Sequence, residues 1–216
     1  RYDVPDTLAL SDETKNIQMG IVPIWKKYDL GIILECSDFE RMGNLIKPAQ
    51  LKKTINIDHH KVHKNFGDIN LVVPEVSATC YLVYEILKAM GKQLTREIAA
   101  WLYVGLITDT GRFQQRNVIP ETFIAAADLL KTGIDIEEIN DLVYRNTSVG
   151  AVKLLGRAIS TLRLTNGGKV ACVTLCREDF KRTRTSPHDV EGIINYPFMV
   201  KGVEVALLLR ESADGV

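Results

Sequence analysis

Three of the chain's four histidines fall within the stretch Asp58 to His63, beginning with the run "NIDHH", Asn56 to His60. An acid and two imidazoles thus follow the β-branched pair Thr54-Ile55, at the mouth of a short apolar segment. Two further polar clusters close apolar segments in the same way: Glu35 with Asp38 after "YDLGIIL", and Asp109 after "REIAAWLYVGL". Carboxylates mixed with imidazole suit Mn²⁺ or a similar divalent ion better than Ca²⁺ or a thiolate-seeking metal. Two such ions ~3.5–4 Å apart form a centre for phosphoester hydrolysis, in which water is activated and both reacting oxygens are clamped. The four cysteines, Cys36, Cys80, Cys172 and Cys176, show neither a CxxC pair nor zinc-like spacing. They read as reduced thiols of a cytoplasmic protein.

Taken singly, each cluster has a plainer explanation. Glu35 is a loop acid, Asp38 caps the turn "FERMG", and Asp109 in "TDTG" closes an Asx-turn. His59 and His60 are packed, hydrogen-bonded structural histidines, and His63 sits on a solvated loop. Together the clusters argue otherwise, provided the fold brings them to one edge.

The elements able to do that are legible in the hydrophobic spacing. "YDLGIILECSD", "LKKTINIDHH" and "INLVVPE" read as strands, the third peripheral because Pro74 cannot donate to a ladder. "SATCYLVYEILKAMG" reads as an amphipathic helix with Ser77 as N-cap and Gly91 as C-cap. "TREIAAWLYVGLITDTGRF" is a longer helix whose register carries Asp109 to its end, and "IPETFIAAADLLKTGID" repeats the pattern with its cap at Gly133. "IEEINDLVYRN" and "VGAVKLLGRAISTL" continue the helical run. "GGKVACVTLC" and "GVEVALLLRE" are then strand-like, separated by the helical "REDFKRT" and a loop, "RTSPHDVEGIINYP".

The expected fold class is therefore α/β. A parallel-sheet domain flanked by helices spans residues 1–150, and the start of a smaller α+β unit spans 151–216. In an open parallel sheet, ligands bind outside the carboxyl ends of the strands, where the three clusters would converge.

The bulk composition is that of a globular protein, 46% hydrophobic and 25% charged. No apolar run approaches the ~18 residues of a membrane helix, and no secretory signal opens the chain. Residues 1–150 carry 17 Lys+Arg against 20 Asp+Glu, and residues 151–216 carry 10 against 7. An acidic part beside a basic part suits a metal site facing an anion-binding lobe. The chain starts with Arg1 and stops at the turn signal Asp214-Gly215 without a returning strand, as a fragment of a longer protein would.

With these residues in view, "NIDHH", "VSATCYLVYEIL" and "GLITDTGRF" in that order resemble the Asp-His-His (DHH) phosphoesterase superfamily. The resemblance is to its branch of bifunctional oligoribonuclease (nano-RNase) and 3′-phosphoadenosine 5′-phosphate phosphatase. "ILECSDFERMG" resembles the branch's second acidic motif, and "RNVIPETFIAAADLLKTGIDIEEIN" its following helices. "DVEGIINYPFMVKGVEVALLLRE" is similar to the opening of the DHH-associated substrate-binding domain.

The resemblance implies that Glu35 bridges two metals, that His59 ligates one of them and that Asp109 completes its shell. Asp58 would support the ligands and His60 would face the scissile phosphate, so that both serve catalysis. Arg112 and Arg116 would contact phosphate, with surface ion pairing as the competing role. His188 and Arg210 would meet the nucleotide from the second lobe. The implied cofactor is two Mn²⁺ ions, with Mg²⁺ or Co²⁺ as substitutes. The implied partners are short RNA or small nucleotides, without a membrane, and a homodimer is an open assembly.

Two departures stand out. Glu35 stands where an aspartate is usual, and the opening histidine-and-paired-aspartate motif is missing. Asp3 and Asp6 do not replace it, lacking the histidine and the buried strand. The glycine-rich loop of the associated domain is missing too, so this stretch alone is expected to be inactive. The alternatives are a RecJ-like single-strand exonuclease or a pyrophosphatase of the same superfamily, a non-catalytic nucleotide-binding module, and a domain fused within a tRNA-processing chain.

Overall fold

The computed structural model describes Ile17 and residues 20–211. Asp3, Asp6 and the Asp214-Gly215 turn lie outside the described residues. The chain divides into two compact units, Arg1–Arg145 and Asn146–Val216.

In the first unit, β1 (Gly31–Leu34), β2 (Thr54–Asp58) and β3 (Ile69–Val72) form a wholly parallel sheet in the order β1-β2-β3. The fold class is α/β, as the spacing predicts. Ile55 and Ile57 of β2 point to one face and pack with Val76 and Leu82. Asn56 and Asp58, the alternate residues, are buried on the other. One strand thus sends apolar groups to the core and polar groups to the site. β3 is an edge strand, and it ends before Pro74.

Four helices follow: α1 (Thr79–Ala89), α2 (Arg96–Asp109), α3 (Pro120–Leu130) and α4 (Ile136–Tyr144). Leu106 of α2 and Leu129 of α3 are fully buried, as are Ala99 and Ala125. Each leucine contributes roughly 1.5–3 kcal/mol by leaving water. α1 ends as its glycine predicts. Gly91 at φ 65 lets its own N–H reach Lys88 O and the next N–H reach Leu87 O. Its start differs from the expectation. Ala78, not Ser77, is the N-cap, and no side chain caps the helix. Ser77 is buried, its hydroxyl accepting from Thr122 Oγ1 (2.9 Å), so it joins α1 to α3 instead.

The second unit comprises α5 (Val149–Ser160), β4 (Arg163–Thr165), β5 (Val170–Leu175), α6 (Arg177–Thr183), α7 (Asn195–Phe198) and β6 (Val205–Arg210). β5 pairs antiparallel with β4 and parallel with β6. Leu154, Val173, Leu175 and Ile193 form its core. The segment expected to be a loop holds a 3-10 turn over Pro187–Val190 as well as α7. Among the described residues no helix is long and apolar enough to cross a membrane.

Candidate metal centre

Glu35 follows the last residue of β1, and its backbone N–H continues the ladder to Ile57 O (3.1 Å). Asn56 then pins the loop beyond it, donating from Nδ2 to Cys36 O at 2.7 Å. His59 and His60 leave β2 at the same edge, and α2 ends there at Asp109. Parallel pairing of neighbouring strands is what aligns these ends.

The histidines are held in different ways. His59 Nδ1 lies 3.2 Å from the carbonyl of Val76. A carbonyl only accepts, so Nδ1 carries a proton, and in the neutral ring Nε2 presents a lone pair. That Nε2 lies 3.0 Å from Asp109 Oδ2 and 3.4 Å from Glu35 Oε1. Asp109 Oδ2 is buried without a hydrogen-bond partner. His59 Nε2 thus has a carboxylate oxygen of Glu35 and one of Asp109 close by, a mix of imidazole and carboxylate that suits a divalent cation. One ligand atom each of Glu35, His59 and His60 lie within 4.8 Å of one another, a set that does not include Asp109.

His60 Nδ1 donates to Asp58 Oδ1 at 2.7 Å, and the same oxygen accepts the backbone N–H groups of His59 (2.7 Å) and His60 (3.2 Å). Burial works against ionisation of Asp58, but these hydrogen bonds outweigh it and hold the carboxyl below its ordinary value. Asp109 goes the other way. Burial and the neighbouring Glu35 carboxylate raise it, with His59 opposing. Cys80 lies near the same charges: burial, then Asp109 and Glu35, push its thiol up to about 11. It is a packing residue here.

The structure thus brings Glu35, Asp58, His59, His60 and Asp109 together. Asp38 is set aside as a cap, accepting from Glu40 N at 3.1 Å. Arg112 lies over the ring of Tyr144, 3.8 Å from its centroid, with a left-handed backbone at φ 61. Arg116 is exposed, and no described residue pairs with it. In the second unit, Arg210 Nη1 donates to Pro187 O at 3.1 Å, beside His188 in sequence.

His63 departs from the expectation. Its side chain is 4% exposed rather than solvated, stacked on Phe66 with ring centroids 5.9 Å apart. Phe66 in turn meets Phe39 edge-on, so the loop folds inward around its aromatics. Asn117 escaped the sequence reading as well. Its Nδ2 donates to Ser77 O (2.8 Å) and Asp109 O (3.1 Å), fastening the end of α2 to the start of α1.

Residues 1–106 match the DHH family, N-terminal domain. Over that stretch the chain is similar to the DHH family. Over 163 residues it is 36% identical to the bifunctional oligoribonuclease and PAP phosphatase NrnA of Thermus thermophilus, covering 75% of this chain and 48% of that protein. It is 24% identical over 190 residues to the protein of the same name from Bacillus subtilis, covering 87% and 60%. A crystal structure of an exopolyphosphatase-related protein from Bacteroides fragilis superposes with a TM-score of 0.87 at 26% identity, over 98% of this chain and 65% of that one. The chain spans about half the length of these curated relatives.

Proposed function

We propose that the full-length protein is a Mn²⁺-dependent phosphoesterase. It hydrolyses short oligoribonucleotides or linear dinucleotides to mononucleotides and removes phosphate from 3′-phosphoadenosine 5′-phosphate. The observation that carries this reading is that His59 Nε2 lies 3.0 Å from Asp109 Oδ2 and 3.4 Å from Glu35 Oε1, and that Glu35, His59 and His60 each offer a ligand atom within 4.8 Å of the others. The names of the Thermus and Bacillus relatives support the two substrate classes.

Glu35, His59 and Asp109 would hold the metal, with Glu35 placed to reach a second ion. Divalent cations bound there would supply water activation and neutralise phosphate charge. The remaining roles belong to the chain. Val76 O fixes His59 so that its lone pair points inward. Asp58 fixes His60 through Nδ1, and when His60 carries both protons its Nε2–H is left to meet a phosphate oxygen. Arg112 and Arg116, on the segment beyond Asp109, would supply cationic donors to the substrate's phosphates. Lys61, His63, Asn65 and Asn70 line an open hollow of about 510 Å³ to which none of the metal-site residues contributes.

The test is release of mononucleotide from a short RNA, and of phosphate from 3′-phosphoadenosine 5′-phosphate, by the full-length protein stripped with chelator and reloaded with Mn²⁺. Activity restored by Mn²⁺ and lost in His59→Ala supports the reading. Chelator-resistant turnover, or near-normal activity in His59→Ala, overturns it.

A further inference from the structure

Two buried polar atoms beside the paired histidines face each other at 3.6 Å, and neither has a hydrogen-bond partner: Asp58 Oδ2 and His63 Nε2. The side chains are 0% and 4% exposed, so water does not serve them. The protonation of His63 follows from its other nitrogen. The backbone N–H of Asn65 lies 2.8 Å from Nδ1 and can only donate. Nδ1 therefore carries a lone pair and the ring proton sits on Nε2, facing Asp58. The Asn65 carboxamide oxygen, 3.0 Å from the same Nδ1, exchanges with its nitrogen when the amide is turned over, which removes the conflict. Asn65 adopts φ 48, the left-handed backbone that asparagine tolerates, and this turns its N–H back onto the ring.

We propose that His63 is a positioning residue whose Nε2–H holds Asp58 Oδ2. It thereby fixes the plane of the carboxylate whose other oxygen orients His60. One oxygen of Asp58 already accepts three donors, while the second has none nearer than this ring. Stacking on Phe66 and the Asn65 N–H keep the ring in its place. The effect on turnover rests on the function proposed above. The protonation state and the link to His60 do not.

The test is a long-range ¹H–¹⁵N spectrum of the histidines of the full-length protein at neutral pH. A fixed Nε2–H form of His63 is expected. An Nδ1–H ring, or one averaging between the two forms, overturns the proposal, and this measurement needs no variant. His63→Phe keeps the stack on Phe66 and loses the donor, whereas His63→Gln returns an amide donor. The Nδ1 proton signal of His60 should broaden by exchange in His63→Phe and persist in His63→Gln. An unchanged His60 signal in His63→Phe overturns the link. In the active protein, kcat should fall about 10- to 100-fold in His63→Phe with KM within about twofold, and largely recover in His63→Gln. A protein with these spectra and no phosphoester turnover would support the positioning role and remove the proposed function.

Discussion

His59 Nε2 lies 3.0 Å from Asp109 Oδ2, and no hydrogen bond joins them. Asp109 is nonetheless costly to the metal-free fold, because burial and then Glu35 raise its carboxyl against the opposing influence of His59. A raised carboxyl means that the folded chain binds more protons than the unfolded one between the ordinary value and the raised one. Stability of the metal-free protein therefore falls as pH rises through that window. Asp109→Asn should melt at a higher temperature than wild type at pH 8 without metal, while turnover drops at least about a hundredfold. Thermal melts with and without Mn²⁺, set beside the assay, decide it. A variant that is inactive and also less stable would show that Asp109 holds the fold rather than a cation.

Glu35 combines a left-handed backbone, φ 57, with a carboxylate oxygen 3.4 Å from His59 Nε2. Aspartate tolerates that backbone better but withdraws the oxygen by one methylene. Glu35→Asp should therefore keep or gain stability and lose Mn²⁺ affinity by about tenfold or more, read by calorimetric titration. Equal or tighter binding would show that this backbone gives way to the shorter acid.

Gly105 lies one helical turn before Asp109, where α2 crosses α1. A Cβ there would lie 2.0 Å from Cys80 Sγ. Gly105→Ala should destabilise the protein by about 1–3 kcal/mol in urea unfolding. Displacing the end of α2 should also cut turnover by up to about a hundredfold, because reacting groups tolerate little misplacement. Adding Cys80→Ala should recover only part of both losses, because the Cys80 Cβ, 2.8 Å from the added methyl, remains. Additive losses would place the strain elsewhere.

Asp179 supplies an acid-sensitive contribution in the second unit. It is buried, accepts from Arg157 Nε at 2.7 Å and from Cys176 N at 3.0 Å, and these bonds overcome burial to hold its carboxyl low. A lowered carboxyl contributes stability above its unfolded value, and that contribution is lost as pH falls through the folded one. Asp179→Asn should lower stability by about 1–3 kcal/mol at pH 7 and flatten the acid limb of a stability–pH curve. An acid limb identical to that of the wild type would assign the sensitivity to other carboxylates.

Much of the site was readable because strand periodicity and chemistry coincide in "TINID". Alternation fixes which residues face the core, and the polar run after it marks the carboxyl end. Asp109 was readable because a long apolar helix has few polar residues at which to stop. His63 was misplaced because its burial depends on Phe39 and Phe66 closing over it, contacts between segments that no local pattern records. Ser77 looked like a cap because serine before a helix usually is one, yet its hydroxyl meets Thr122 from another helix. Asn117 offered only a faint signal, a lone amide eight residues beyond the acid whose carbonyl it holds.

The loops carrying Glu35 and His60 share a strap. Lys64 N donates to Ser37 O at 2.9 Å, and the Lys64 ammonium pairs with Asp38. Half of that strap is a surface charge pair, which dissolved ions weaken while leaving apolar packing intact. Ionic strength is thus a dial on the gap between these two loops, and moderate salt should weaken the proposed Mn²⁺ binding well before it melts the chain.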